Sequence, residues 1–465
     1  MKVIDSRREL FVDDWLIDCM DGTRLKLHTP VPGEIALQGD GSYSYVTVFK
    51  DRECYRAYYR AGEPYDITRL TNEDYDRQKK MPQVTAYAES PDGITWTVPE
   101  LGLIEHKGTR ANNIVWDAEG ACTGTSHNFS PFLDGNPSAP PEERYKALGG
   151  TRKTGLIAFA AADALNWRPM RQAPVITDGA FDSQNLAFWD AERNQYVAFV
   201  RDFLRVGSAA NPEGARIRCI KRCTSQDFLH WSTPEWIDLG DTPLEHLYTN
   251  AATPYFGAPH IYVAFPRRFV PERKALPDSP LNGISDQIFM SSRDGGMHWD
   301  RRFMEAFVRP GPERENWTDR NGTIAYGVVP INAAEMSIYW TEHNKMPTCR
   351  LRRATLRTDG FASVNAPYAG GEFVTRPLLF SGDTLYLNYA TSAVGSLQVE
   401  IQDVCGNPLP GFSLTEALYG DQIDAPVRFG PDADLGALSH TPVRLRFLLR
   451  DADLYALQFR QDDAS

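Results

Sequence analysis

Cysteine is scarce: 465 residues hold seven (Cys19, Cys54, Cys122, Cys219, Cys223, Cys349, Cys405), an odd number with scattered positions. Only Cys219 and Cys223 stand close together, and no second pair lies at zinc-ligand spacing, so a disulfide framework and a structural zinc site are both unexpected. No window approaches the roughly 18 uncharged apolar residues that a membrane-spanning helix needs. The amino-terminal run MKVIDSRRELFVDDWLID has no apolar h-region, because Asp13, Asp14 and Asp18 interrupt it. Cytoplasm is therefore the simplest expected location. Basic residues do not prevail either. Lys and Arg total 49 against 61 Asp and Glu, for a formal charge of −12, and such a surface repels phosphate backbones. Long apolar stretches of 3.6-residue period are missing too, which excludes a helical fold.

What is present is a repeat. The sequence Ser90-Pro91-Asp92-Gly93-Ile94-Thr95-Trp96 returns in looser form with Asp163 and Trp167, then as Ser225 to Trp231 and, one residue longer, as Ser292 to Trp299. A degenerate fifth copy, Thr358-Asp359-Gly360-Phe361, lacks the tryptophan. The five aspartates recur every 64–71 residues or so, the length of one four-stranded propeller blade with its loops. Asp and Ser can close a hairpin onto backbone N–H groups, and Trp packs the turn, so the repeat reads as structural. Aromatic and β-branched runs such as Tyr45–Phe49, Tyr55–Tyr59 and Tyr196–Val200 fill the intervals. The sequence thus predicts an all-β chain: a five-bladed β-propeller over residues 1–368 and a β-sandwich over 369–465, where the repeat stops.

The innermost strand of each blade begins at the mouth of the central channel. Those five starts carry Asp40, His127-Asn128, Asp182 with Asn185, Glu245 with Tyr248, and Asp319-Arg320. Carboxylates gathered there would repel one another and spread their pKa values, leaving an acid and a base together. Glycoside cleavage requires such a pair. His127, Asn128, Asn185, Asp319, Arg320 and His343 (in Glu342-His343) are candidate contacts to sugar hydroxyls, and Tyr248 and Trp317 candidate stacking surfaces. Arg201-Asp202 and Arg267-Arg268 read chiefly as ion-pairing residues.

In order and spacing these features resemble the five-bladed propeller glycosidases, glycoside hydrolase families 32 and 43. The segment Phe181 to Asp190, followed by Gln195 to Phe199, is similar to the Arg-Asp-Pro block of family 32 and its strand pair. The resemblance implies that Asp182 steadies an oxocarbenium-like transition state, that Glu245 is the general acid, and that Asp40 is the nucleophile, with Asp319 the alternative. The flanking residues depart from the family's: Asp40 lacks its Asn and Pro, Asp182 lacks both neighbours, and His246 follows Glu245. The expected activity is exo-acting hydrolysis of a terminal sugar, a furanoside among the options, on a small carbohydrate substrate without cofactor, metal, nucleic acid or membrane. The alternatives are a non-catalytic carbohydrate-binding or scaffold propeller, and a sialidase-like hydrolase, which would need a sixth blade.

Overall fold

The computed structural model describes residues 1–462 apart from 40–41, 79, 82, 119–121 and 209–210. Its regular secondary structure is almost entirely β-strand; the only α-helix among the described residues is the seven-residue Asn72–Gln78. No helix among them is long and apolar enough to cross a membrane.

The chain divides into two compact units, residues 30–331 with 336–355, and residues 1–29 with 332–335 and 356–465. In the first unit, four-stranded antiparallel sheets follow one another as blades. Blade 1 runs Ser44–Asp51, Cys54–Ala61, Val84–Ser90, Ile114–Asp117. Blade 2 runs Ser130–Leu133, Tyr145–Thr151, Gly155–Ala161, Arg168–Pro169, and blade 3 runs Leu186–Asp190, Gln195–Ser208, Asn211–Ser225, Glu235–Trp236. Blade 4 is broken midway: Thr253–Tyr255, Ala258–Ala264 and Met290–Ser292 form one patch, and His246–Tyr248, Arg267–Val270 and Ile284–Gln287 another. The break falls where Pro266 cannot donate to the ladder and where Thr249 and Ala251 take left-handed backbone (φ 54 and 44). Blade 5 takes Val329–Pro330, Glu335–Glu342 and Arg350–Arg357 from late in the chain and its outer strand, Val31–Gln38, from the beginning. No sixth blade is present among the described residues, which removes the architecture that the sialidase-like alternative needs.

The repeated turns work as their composition implies. Asp92 Oδ1 accepts from the N–H groups of Ile94 and Thr95 at 2.8 and 2.7 Å, and Ser90 Oγ accepts from Gly93 N at 2.9 Å. Asp163, Asp227 and Asp294 accept in the same way. Trp167, Trp231 and Trp299 each donate Nε1–H to a carbonyl three residues back. The fifth copy is degenerate for a topological reason. After the third strand of blade 5 the chain leaves the propeller, and Asp359 accepts from Arg8 and Asn388 within the second unit.

The ring is also closed at its inner edge. Val48 N donates to Tyr326 O and Tyr326 N to Val46 O, both at 2.8 Å, joining blades 5 and 1. The approach requires a glycine next door: a Cβ on Gly327 (φ 123) would lie 1.8 Å from Val48 O. Gly327→Ala is therefore expected to destabilise the protein by about 3 kcal/mol or more, read as a lowered midpoint in urea unfolding; an unchanged midpoint would mean that this seam yields freely.

In the second unit, residues 1–29 supply four strands. Lys2–Asp5 pairs with Leu378–Phe380, Glu9–Leu10 with Arg444–Arg460, Ile17–Asp21 with Gly371–Thr375, and Arg24–Leu27 with Ala362–Ala366. The long strands Thr384–Gln402 and Arg444–Arg460 run side by side with a register shift between Thr391 and Ser396. One apolar core forms on their alternation, with Leu385, Leu387, Leu397, Val399 and Ile401 in a single cluster with Leu445, Phe447, Leu454 and Phe459. The boundary at 368/369 is thus corrected on two counts. The amino-terminal segment belongs to the sandwich because its strands find their partners there, and the sandwich begins at 356.

Candidate functional site

Between blades 2 and 3 the segment Ala180-Phe181-Asp182-Ser183 turns so tightly that Asp182 N donates to Ala180 O and Ser183 N to Phe181 O, both at 2.8 Å. Such successive i+2 bonds, with Phe181 at φ 52, are strained and persist only where the surroundings impose them. Two buried amides do so. Asn128 Nδ2 donates to Phe181 O (2.6 Å) and Ser183 O (2.8 Å), and Asn185 Nδ2 donates to the same two carbonyls at 2.8 and 2.9 Å. Their Oδ1 atoms accept from Gly150 N and Arg201 N. Both asparagines are 0% exposed, and their hydrogen-bonding capacity is spent on this clamp. Their strand-end positions suggested contacts to sugar; in the structure they do not line the cavity and hold the turn from behind.

The turn presents the Asp182 carboxylate, 59% exposed, to a cavity. His127 Nε2 lies 3.1 Å from Oδ1, and Arg201 Nη1 lies 3.9 Å from Oδ2. The His127 hydrogen bond foremost, then the charges of Arg320 and Arg201, hold this carboxyl far below the usual carboxylate range in spite of its partial burial. His127 itself is pushed down by burial and by the Arg60 charge, which outweigh the pull of Asp182. Its Nε2 faces the Asp182 carboxylate, and its Nδ1 lies 3.1 Å from Arg60 Nη1 and 2.7 Å from Gln83 Oε1.

The cavity measures about 480 Å³, within the range of small-molecule sites. Asp182, His127 and Arg320 line it together with Ser44, Arg60, Tyr65, Tyr75, Asn113, Asn344 and Lys345. At the rim Glu63 pairs with Lys107, and His106 lies 3.3 Å from Asp117. Lys345 reaches Asp319 at 2.6 Å and stands over the Tyr75 ring. Burial, reinforced by Arg320, lowers its pKa to about 7 against the opposing charge of Asp319. Burial pushes Asp319 up, but Lys345 and Arg320 overcome it and hold that carboxyl below its ordinary value. Among the described residues no three His, Cys, Asp or Glu side chains converge as a metal-binding set.

The expected ring of carboxylates is therefore not what surrounds Asp182. Among the described residues only Asp182 and Glu63 bring carboxylates to the cavity wall, against Arg60, Arg320, Lys345 and Lys107. Asp40 lies outside the described residues; Gly39 and Ser42 on either side of it line the cavity. Glu245 does not line it. Its carboxylate pairs with the fully buried Arg301, whose Nη1 also donates to Pro243 O, so it is an ion-pair anchor in blade 4 rather than an acid at the site. Tyr248 is buried beneath the Arg267 guanidinium, 4.2 Å from its ring centroid. Trp317 donates to Gly311 O and lines a separate surface pocket with Arg268 and Asp286. The His343 ring is held between Glu313 (2.6 Å) and Thr348 (2.9 Å), away from the cavity.

Sequence reasoning missed Arg60 and Lys345 and undervalued Arg201 and Arg267. A signal existed. The second strand of a blade ends beside the start of the first: Arg60 opposes Ser44, and Arg267 opposes Tyr248. The runs Tyr59-Arg60, Val200-Arg201 and Pro266-Arg267 thus put an arginine at the channel in blades 1, 3 and 4.

No protein-family model matches the sequence, and no curated protein matches it at a significant level. Solved structures of similar fold include a glycoside hydrolase (12% identity, 71% of this chain and 92% of the other, TM-score 0.47). They also include a glycoside hydrolase family 43 arabinoxylan arabinofuranohydrolase from Bacillus subtilis (10% identity, 91% and 97%, TM-score 0.42) and the catalytic domain of a family 62 α-L-arabinofuranosidase from Coprinopsis cinerea (10%, 72% and 98%, 0.44). At such identity and overlap, the chemistry of this chain rests on its own site.

The Glu245 placement has a measurable consequence. Glu245→Gln removes the charge that balances buried Arg301, and an expected loss of about 1–3 kcal/mol in urea unfolding follows. Turnover per folded molecule should stay within about twofold. Loss of turnover with stability intact would return Glu245 to the chemistry.

Proposed function

We propose that the propeller is a glycoside hydrolase that releases one terminal sugar, with Asp182 steadying the positive charge that develops at the anomeric carbon. The observation that carries this reading is Asp182 itself: a carboxylate kept ionised by His127 and the neighbouring guanidinium groups, fixed by a clamped turn, and facing a cavity sized for a small molecule. A preorganised anion of this kind acts on charge that appears only in the transition state. In the reaction the glycosidic C–O bond breaks with its electron pair passing to the leaving oxygen, which takes a proton. Water adds its oxygen to the anomeric carbon and gives a proton up.

Asp182 is too weak a base to carry that proton. We assign the second carboxylate role to Asp40, whose chain neighbours Gly39 and Ser42 stand at the cavity, since Asp319 is engaged with Lys345. The test is a screen of chromogenic pyranosides and furanosides, with the anomer released followed by NMR. Hydrolysis that depends on Asp182 supports the reading; tight sugar binding without turnover of any glycoside would support the carbohydrate-binding alternative instead.

A further inference from the structure

The floor of the cavity opens into a chamber of about 10 Å³, and Ser44, Arg60, Arg320 and Asn344 line both spaces. Tyr45, Arg267, Thr323 and Thr341 complete the chamber wall. Three guanidinium groups from blades 1, 4 and 5 thus face a space with room for about one oxygen atom. Buried charges in proteins are normally paired, and several in this chain are. Arg301 has Glu245, Arg353 has Glu34, and Lys146 has Asp134.

The chamber is the exception. Arg267 is 2% exposed and donates to Thr323 and Thr249 hydroxyls at 2.8 and 3.2 Å. Its Nε has no hydrogen-bond partner, and no carboxylate among the described residues lies within ion-pair distance of it. Arg60 likewise has no carboxylate at that distance among the described residues; it contacts His127 and the face of Tyr45. Among the described residues Arg320 has Asp319 alone at ion-pair distance, 3.3 Å, where Lys345 also binds, and acts on Asp182 from further off. The cluster is a local excess of positive charge in a chain of net charge −12. Asp182 and, on the assignment above, Asp40 offset part of that charge, and a neutral sugar would leave the rest uncompensated.

We propose that the terminal sugar recognised here is a sugar acid, its carboxylate received by Arg60, Arg267 and Arg320 with one oxygen directed into the chamber. Guanidinium forks match a planar carboxylate in charge and in geometry. The inference rests on the carbohydrate reading of the site and names its substrate class.

The experiment uses calorimetric binding of D-glucuronate and D-galacturonate beside D-glucose and D-galactose, and hydrolysis of the matching 4-nitrophenyl glycosides, at 50 and 300 mM NaCl. At least one sugar acid is expected to bind tenfold or more tightly than its neutral counterpart. Arg320→Met and Arg60→Met, at partly exposed positions that tolerate substitution better than Arg267, should each erase that difference. Arg320→Lys, which keeps the charge and loses the fork, should restore only part of it. Equal or tighter binding of the neutral sugars overturns the proposal, as does chloride or sulfate protecting the fold by itself while the sugar acids add nothing. Cleavage of a neutral glycoside only would sink the sugar-acid inference and leave the hydrolase standing. Binding of a sugar acid through Arg320 without cleavage of any glycoside would do the reverse.

Discussion

Asp182→Asn is expected to lower kcat by about a thousandfold, in the range seen when a preorganised electrostatic group is removed from an active site, while KM changes little. The substitution keeps shape and an oxygen to accept from His127 and removes only charge. Because the wild-type carboxyl is held ionised far into the acid range, an acid limb in the kcat/KM profile belongs to another group and should survive in the residual activity of the variant. The stability effect follows the same sign. A depressed carboxyl stabilises the fold above its unfolded value of roughly 4 and loses that contribution as pH falls through its folded value. The gap in melting temperature between wild type and variant should therefore be present at pH 7 and narrow below pH 4. A variant with full turnover on a confirmed substrate removes Asp182 from the mechanism; a gap that widens in acid contradicts its ionised state.

The second large effect concerns the clamp. Asn128→Ala and Asn185→Ala each withdraw an amide that makes three hydrogen bonds in a fully buried place. Each leaves backbone groups without partners, including the Gly150 or Arg201 N–H, and should cost about 2–4 kcal/mol by urea unfolding. The turn at Phe181 is strained, so a weakened clamp lets it relax and moves Asp182. Displacements of an ångström cost about a hundredfold in rate. The expected signature is a kcat at least tenfold lower in the folded fraction with KM nearly unchanged. Lowered stability with normal kcat would show that the asparagines support only the fold.

The architecture was legible because it is periodic. An aspartate that closes a turn and a tryptophan that packs it recur in each of the first four blades, and the structure uses them for that purpose. The domain boundary was not legible. Strands such as Lys2–Asp5 and Ile17–Asp21 pair with partners some 350 residues away, and nothing local marks which sheet they join. At the site, Asp182 and His127, singled out for their place at strand starts, line the cavity. Glu245 occupies the same kind of position but does not line the cavity, because its direction depends on Arg301, 56 residues on. Asn128 and Asn185 do not line it either: an amide beside a functional carboxylate can serve the ligand or the backbone, and only coordinates distinguish the two. Of the arginines of the floor, Arg320 was a candidate from its place at a strand start, while Arg60 lies near the far end of its strand and Arg267 was read as an ion-pairing residue.

Blade 5 has a consequence for biosynthesis. Val31–Gln38 leaves the ribosome early, yet its partner strand Arg350–Arg357 is made some three hundred residues later. Joining ends so far apart carries a loop-closure entropy of roughly 5 kcal/mol, and until then the early strand presents unsatisfied backbone groups to any neighbouring chain. Blades 1 to 4 can form as they emerge, but the ring waits for the last of them. The interval before closure is the period in which a nascent chain is most exposed to aggregation and most in need of chaperone cover.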